Sequence, residues 1–242
     1  MVSHMKGKMK MDSLASSIFN LSLSPTTIVQ FGVKLMIIFL VVPIHEYAHA
    51  WAAVKLGDDT PKYQGRLTLN PLAHIDILGA ICLFIGGFGW GKPVQVNPLN
   101  FRQYRKGNAL CAAAGPLSNL IVGTGGMIVY KIFCYAYISS GVEALYWIYF
   151  IMYYFTIINL GLAVFNLIPI PPLDGSKILS YFVGGKWDEI MYRYQRQISI
   201  IFLVVIISGI LDTPLGYLQN GMFWIMDKIT YFVDLIAKAI IF

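Results

Sequence analysis

Long apolar runs separated by short polar stretches make up most of the chain. Four runs are candidates for membrane-spanning helices, at residues 27–56, 108–138, 144–168 and 196–211, since a spanning helix needs about 20 mostly apolar residues. A fifth candidate, residues 221–242, carries a stripe of polar residues and is predicted to span or to lie at the interface. The pattern predicts an all-α polytopic membrane protein with about five transmembrane helices.

The segment between the first two runs has a different pattern. Two loops rich in Gly, Pro and Asn flank an apolar piece at residues 75–88, which is shorter than the ~20 residues that a spanning helix needs. We interpret residues 75–100 as a re-entrant, partly β hairpin, which a membrane tolerates where the backbone packs against protein. Its stretch at 89–98 is predicted to offer an edge strand.

Composition supports a membrane protein with one embedded domain. The chain is 57% hydrophobic and 12% charged, with a mean hydropathy of +0.65, whereas soluble domains are about 25% charged. We expect a single membrane-embedded domain at 27–242, with its core at roughly 35–180. An N-terminal segment at 1–26 precedes it and opens with MVSHMKGK, which resembles a cloning scar.

We attribute the net charge of +6 to basic residues in the cytoplasmic loops. It does not indicate nucleic-acid binding, because no basic helix or nucleic-acid motif accompanies it. The predicted partner is therefore the lipid bilayer, with no nucleic acid, and the oligomeric state is unknown. Lys and Arg are concentrated at residues 57–107 and 177–196, which predicts that these loops face the cytoplasm. Three N-terminal lysines, Lys6, Lys8 and Lys10, contradict this assignment.

Candidate chemistry lies in the first apolar run, where His45, Glu46 and His49 form an HExxH motif. Residues i and i+4 share one helix face, so both imidazoles can reach one ion, and Glu46 can lean over that ion as a base. The ten residues before His45 carry no polar side chain, and unpaired polar groups in such surroundings cost several kcal/mol each. A buried His/Glu cluster in a transporter is the alternative interpretation.

A third metal ligand is predicted after the run at 144–168. There the chain reads PPLDG, with the carboxylate at Asp174. A simple turn is the alternative, because Pro and Asp-Gly are common turn residues. We expect Asp174 to complete a zinc site on non-helical backbone that lines a wet cavity. Asp174 reaches the same membrane face as the histidines only if residues 75–90 do not cross the membrane.

Other polar residues have weaker patterns. Asn166 and Asn119 lie in apolar runs, and either could hydrogen-bond an oxyanion or join helices, with Asn166 the stronger catalytic candidate. His74 is predicted to anchor its loop. Glu143 and Glu189 are poor candidates for a third ligand because one lies on the opposite face and the other in a charged loop.

Four motifs follow one another along the chain: HEYAHA at 45–50, NPLAHID at 70–76, AGPLSNL at 114–120 and NLIPIPPLDG at 166–175. Together they resemble the site-2 protease family of intramembrane zinc metalloproteases, in its small form without a PDZ or CBS domain. The resemblance implies one Zn²⁺ per chain bound by His45, His49 and Asp174, with Glu46 as the catalytic acid/base.

The predicted function is regulated intramembrane proteolysis, the hydrolysis of peptide bonds within or near transmembrane segments of a protein substrate. We expect a multi-pass protein of the cell membrane with its active site toward the cytoplasm. The substrate must unwind locally, and the edge at 89–98 could receive it by β-addition. A membrane metal transporter and a non-catalytic zinc-binding scaffold are the alternatives. A prenyl-protein endopeptidase is less favoured because that class takes a glutamate as its third ligand.

Overall fold

The structure is a computed structural model that describes residues 25–86 and 89–241. The predictions for the N-terminal segment at 1–26, including Lys6, Lys8 and Lys10, fall almost wholly outside the described residues. Contacts divide the chain after Gly32 into two units. The first contributes the start of one helix to the described part, and the second holds every other element.

The described residues are helical wherever they are regular. The elements are α1 (Pro25–Met36), a π-helical turn (Ile37–Val41), α2 (Val42–Leu56), α3 (Thr60–Tyr63), α4 (Pro71–His74), α5 (Ile77–Gly86), a 3₁₀ turn (Pro98–Asn100), α6 (Tyr104–Ser140), α7 (Glu143–Asn166), α8 (Asp174–Val183), α9 (Lys186–Ile207), α10 (Asp212–Ile229) and α11 (Tyr231–Ile241).

Four described helical stretches are long and apolar enough to cross a membrane. They are Ile28–Leu56 (most of α1, the π-helical turn and α2), Tyr104–Ser140 (α6), Glu143–Asn166 (α7) and Trp187–Ile207 (α9). The all-α prediction is confirmed, whereas the count of about five is not. Residues 221–242 do not form one element, because α10 ends at Ile229 and α11 begins at Tyr231. At the break, the Thr230 hydroxyl donates to the Met226 carbonyl, 2.9 Å away.

The chain just before α5 and the chain just after it lie side by side. Helix α5 has 10 residues and is thus about 15 Å long, half of the ~30 Å hydrocarbon thickness. After it, Gly91 forms an antiparallel bridge with Ile75, and the Lys92 amide donates to the His74 carbonyl at 2.8 Å. The partly β hairpin is not confirmed, because this isolated bridge is the only β pairing among the described residues.

Two features hold α5 in place. The Lys34 ammonium donates to the Phe84 carbonyl at 2.8 Å, so a cation meets the negative end of the helix dipole. Gly79 faces the returning backbone, where an added Cβ would lie 3.0 Å from the Trp90 nitrogen. The absence of a side chain at Gly79 therefore permits this close return.

Helix α6 is the element against which the functional part of the chain packs. Small residues bring it close to α7: a Cβ added at Gly123 would lie 3.1 Å from the Asn159 Cβ, and one at Gly126 would lie 2.8 Å from the Thr156 hydroxyl. In membranes, such small residues let helices approach closely enough for van der Waals contact along their length. Helix α6 also contacts α2 and α8, which carry the three predicted metal ligands.

Asp58 fastens the extended segment that follows α5 to the end of α2. Its carboxylate accepts hydrogen bonds from the Thr60 hydroxyl, the Asn97 amide and the Asn100 side chain, at 2.5–2.8 Å. Burial opposes its ionisation, but these donors outweigh burial and hold the pKa of Asp58 below its usual value. The extended segment at 92–97 is thereby held beside α2.

Candidate metal centre

Three predicted ligands converge inside the bundle. The Nε2 atoms of His45 and His49 lie 3.0 Å apart, and the Asp174 Oδ2 lies 3.2 Å from the first and 3.1 Å from the second. All three residues are buried. The structure therefore brings together residues 125 positions apart in the chain.

The crossing of α2 and α6 orients the histidines. The His49 Nδ1–H donates to the Cys111 carbonyl at 2.8 Å, which leaves the Nε2 lone pair directed at the other ligands. One turn along α6, Gly115 faces both rings: an added Cβ would lie 2.6 Å from His45 Nε2 and closer still to His49 Nε2. Gly115 therefore leaves the space that the two rings occupy.

Asp174 is placed by the start of α8. The next residue, Gly175, packs against the backbone that follows the C-terminus of α7. A Cβ added at Gly175 would lie 2.5 Å from the Ile168 carbonyl oxygen. Pro171 and Pro172, joined by a cis peptide bond, precede it. Without a bound ion, burial opposes ionisation of Asp174, but hydrogen bonds from protonated His45 and His49 outweigh burial and hold the pKa of the carboxyl well below its usual range.

The donor set fits zinc. Ligand atoms about 2.0–2.1 Å from a tetrahedral zinc ion lie about 3.3 Å from one another, close to the observed 3.0–3.2 Å. Two imidazoles and a carboxylate form a typical catalytic zinc set that leaves a fourth position open. The three ligand atoms lie within 4.8 Å of one another, and no other such group of His, Cys, Asp and Glu occurs among the described residues.

Glu46 lies beside this centre without joining it. Its Oε2 accepts a hydrogen bond from the Val94 amide of the extended segment at 2.9 Å. It lines the same cavity of about 310 Å³ as His45, His49 and Asp174. The carboxylate is therefore placed for proton transfer and is held by one backbone donor.

The other candidates fall in different places. Asn166 lines this cavity, and its Nδ2 donates to the Leu162 carbonyl at 3.0 Å, which leaves its second N–H available. Asn119 is fully buried in α6, one turn beyond Gly115. His74 anchors its loop, as its Nε2 bonds the Thr68 carbonyl at 2.8 Å. Glu143 and Glu189 lie at helix starts, away from the centre.

A second polar cluster, centred on the buried Lys131, has no counterpart in the sequence-based predictions. The Lys131 ammonium lies 2.8 Å from Asp227 Oδ1 and 2.6 Å from Asp234 Oδ2, and the Tyr135 hydroxyl donates to Asp234 at 3.0 Å. We refer to these four residues as the lysine cluster. The polar stripe at 221–242 was the only signal for it, and that stripe did not identify its partner on α6.

The site defines a class: a zinc hydrolase built into apolar helices. The profile of Peptidase family M50 matches residues 135–210, which include Asp174. YwhC of Bacillus subtilis is 39% identical over 75% of this chain and 81% of its own length. Rip2 of Mycobacterium tuberculosis is 27% identical over 76% of this chain and 69% of its length. Both are named as zinc metalloproteases, and no solved structure gave a significant match.

The chain therefore belongs to peptidase family M50, the site-2 protease family of zinc metalloproteases. Its cofactor is Zn²⁺, and its four apolar helices agree with a multi-pass membrane protein.

Proposed function

We propose that the protein is an intramembrane metalloendopeptidase that cleaves peptide bonds within or near transmembrane segments of other membrane proteins. In this proposal, His45, His49 and Asp174 bind the zinc ion and Glu46 is the catalytic acid/base. The observation that carries the proposal is the convergence of these three ligands, at 3.0–3.2 Å, inside a bundle of apolar helices.

The chemistry of the site is a metal-assisted hydrolysis. Zinc, when bound, polarises the scissile carbonyl and lowers the pKa of water from 15.7 toward about 7. Glu46 accepts the proton of the attacking water and delivers it to the leaving amine nitrogen as the C–N bond breaks. In this proposal, Asn166, which lines the cavity and uses one N–H for the Leu162 carbonyl, donates its other N–H to the oxyanion that develops on the carbonyl oxygen.

An apolar cavity supports a membrane-embedded substrate. It has a volume of about 460 Å³, and its lining runs from His45 and Glu46 to apolar side chains of α9 such as Phe202 and Leu203. A hydrophobic segment that enters from the side of α9 would therefore reach the zinc ligands without passing through water.

The extended segment at 92–97 is the proposed receiving edge for an unwound substrate, which would pair with it by β-addition. Val94→Pro and Val96→Pro should both reduce cleavage while zinc stays bound. The Val94 amide also bonds Glu46, so Val96→Pro is the cleaner test. Unchanged cleavage by Val96→Pro would remove this role for the segment.

The charge distribution supports an active site toward the cytoplasm. Residues 57–107 hold six Lys or Arg and three Asp, and the zinc ligands lie on α2, which precedes this region, and at the start of α8. Cytoplasmic loops carry an excess of Lys and Arg. Cysteine-accessibility labelling of Lys106→Cys in oriented vesicles tests this orientation, and labelling from outside would reverse it.

The decisive experiment compares Glu46→Gln with the unchanged protein on a tagged transmembrane substrate. Hydrolysis requires Glu46 and zinc, so we expect the variant to keep its zinc and to lose cleavage by more than about 100-fold. A metal transporter would tolerate Glu46→Gln and show metal flux into vesicles. A non-catalytic scaffold would show neither flux nor cleavage in either protein. Either of these results would overturn the proposal.

A further inference from the structure

A second polar cavity adjoins the metal centre. It has a volume of about 430 Å³ and lies between the start of α6, the helix α8 and the start of α9. It shares Asn108, Pro172 and Lys177 with the cavity that holds the zinc ligands. The two cavities are therefore neighbours, and a chain leaving the metal centre has a polar space to enter.

Two of the three charged residues that line this cavity already have partners in the protein. Arg105 donates from Nη2 to the Ser180 carbonyl at 2.9 Å and lies 4.0 Å from the Asp188 carboxylate. Asp188 also accepts a hydrogen bond from the Ser180 hydroxyl at 2.5 Å. Arg105 and Asp188 thus compensate each other and hold α6, α8 and α9 together around the cavity.

Lys177 is the remaining charge. Its side chain is 52% exposed, and its ammonium forms a long ion pair with Asp174 Oδ1, 3.9 Å away. The other oxygen of Asp174 faces His45 and His49, and the negative charge of this carboxylate is shared with zinc when the ion is bound. The charges of the residues that line this cavity therefore sum to one positive charge, and Lys177 supplies it at the border with the metal centre.

We propose that this cavity is a specificity subsite for the polar flank of the substrate, in which Lys177 binds the carboxylate of an Asp or Glu side chain. The inference rests on the proposed proteolysis and deepens it by naming the flank chemistry. Contiguity with the metal centre favours a substrate segment over a lipid headgroup, because a peptide held at the zinc ligands continues into this space. Lys177 is thus a specificity-determining residue that does not enter the chemical step.

The test uses three substrates with one transmembrane segment and a cytoplasmic flank of Asp-Asp, Asn-Asn or Lys-Lys. For the unchanged protein in neutral-lipid nanodiscs, kcat/KM should be about two- to fivefold higher for the acidic than for the neutral flank, the size of a partly exposed ion pair. The difference should lie mainly in KM. Lys177→Gln should remove the preference, and Lys177→Glu should reverse it in favour of Lys-Lys.

Lys106→Glu is the matched control, since Lys106 is exposed on α6 and does not line the cavity; it should keep the acidic preference. Zinc content is measured for each variant, so that loss of metal is not mistaken for loss of recognition. Equal cleavage of all three substrates, or a preference unaffected by Lys177→Glu, overturns the subsite. A dependence on anionic lipid in place of the flank also overturns it. Failure of the unchanged protein to cleave any substrate would instead refute the proposed function.

Discussion

The metal centre and the lysine cluster are two groups of polar side chains among apolar helices, and the charges in them are balanced in different ways. At the metal centre, two imidazoles and one carboxylate converge, and the nearest Lys or Arg among the described residues is Lys177, 3.9 Å from Asp174. In the lysine cluster, the ammonium of Lys131 lies within 2.8 Å of both carboxylates. The first group is arranged as a site for a cation from solution, whereas the second contains its own cation.

This difference separates a functional site from a structural one. Buried charges are stable when they are paired and hydrogen-bonded, and the lysine cluster meets that requirement with residues of α6, α10 and α11. At the metal centre, three ligand atoms converge at a spacing that fits a divalent cation, and the residues that carry them line a cavity. The lysine cluster therefore fastens the last two helices to α6, whereas the metal centre is the site that we propose for the reaction.

The largest effect is expected from Asp174→Asn. Loss of the only anionic ligand should lower zinc affinity and peptidase activity by more than about 100-fold. The zinc-free protein should also lose about 1–3 kcal/mol of stability, because the buried carboxylate of Asp174 is hydrogen-bonded to both histidines. Zinc analysis, a cleavage assay and thermal unfolding measure these three quantities. A variant that keeps zinc and activity would contradict the ligand assignment.

Lys131→Met should reduce stability without affecting zinc binding. Removing the cation leaves two adjacent carboxylates unpaired, which should destabilise the protein by about 2–4 kcal/mol, the lower part of this range reflecting the 39% exposure of Asp227. Zinc bound per folded molecule should be unchanged. The triple variant Lys131→Met, Asp227→Asn, Asp234→Asn should regain most of the stability. Loss of zinc from folded Lys131→Met would show that the two clusters are coupled.

Gly115→Ala tests the space between α6 and the histidines. The added methyl meets both imidazoles, so zinc affinity should fall by about 10-fold or more. Gly125→Ala is the matched control, because nothing lies within 4 Å of a Cβ added there on the same helix. Competition with a chelator measures both affinities, and equal values for the two variants would contradict the close packing at Gly115.

Asp58 is a third kind of buried charge, because its carboxylate is stabilised by hydrogen bonds from neutral donors. Because its folded pKa lies below the model-peptide value of 3.8, its ionisation contributes stability above about pH 4, and this contribution is lost as pH falls through the folded pKa. Asp58→Asn should cost about 1–3 kcal/mol at pH 7 and flatten this pH dependence. The exposed Asp59→Asn should do neither. Unfolding curves from pH 3 to 7 provide the measurement.

The metal centre could largely be predicted from the sequence, while the packing around it could not. The spacing of His45 and His49 is local and fixes their common helix face, and the prolines before Asp174 mark a break that the structure retains. The partner of Asp234 is 103 residues away on α6, and no local pattern selects it. Helix α9 begins at Lys186, ten residues before the predicted span, because its charged first turns form a polar extension of an apolar helix.

The same limit applies to the contacts that complete the site. The carbonyl of Cys111 orients His49, and the amide of Val94 holds Glu46, but backbone groups carry no sequence signature. Gly115 lies in a motif that carried the family resemblance, yet its contact with both histidines depends on how α2 crosses α6.

The most direct test of the central claim is zinc K-edge absorption spectroscopy of the purified protein and of His49→Ala. The account predicts two imidazoles and oxygen ligands at about 2.0–2.1 Å from zinc, with the scattering of one imidazole lost in the variant. A spectrum without histidine scattering, or one unchanged by His49→Ala, would contradict the claim that α2 and α8 close around a single ion.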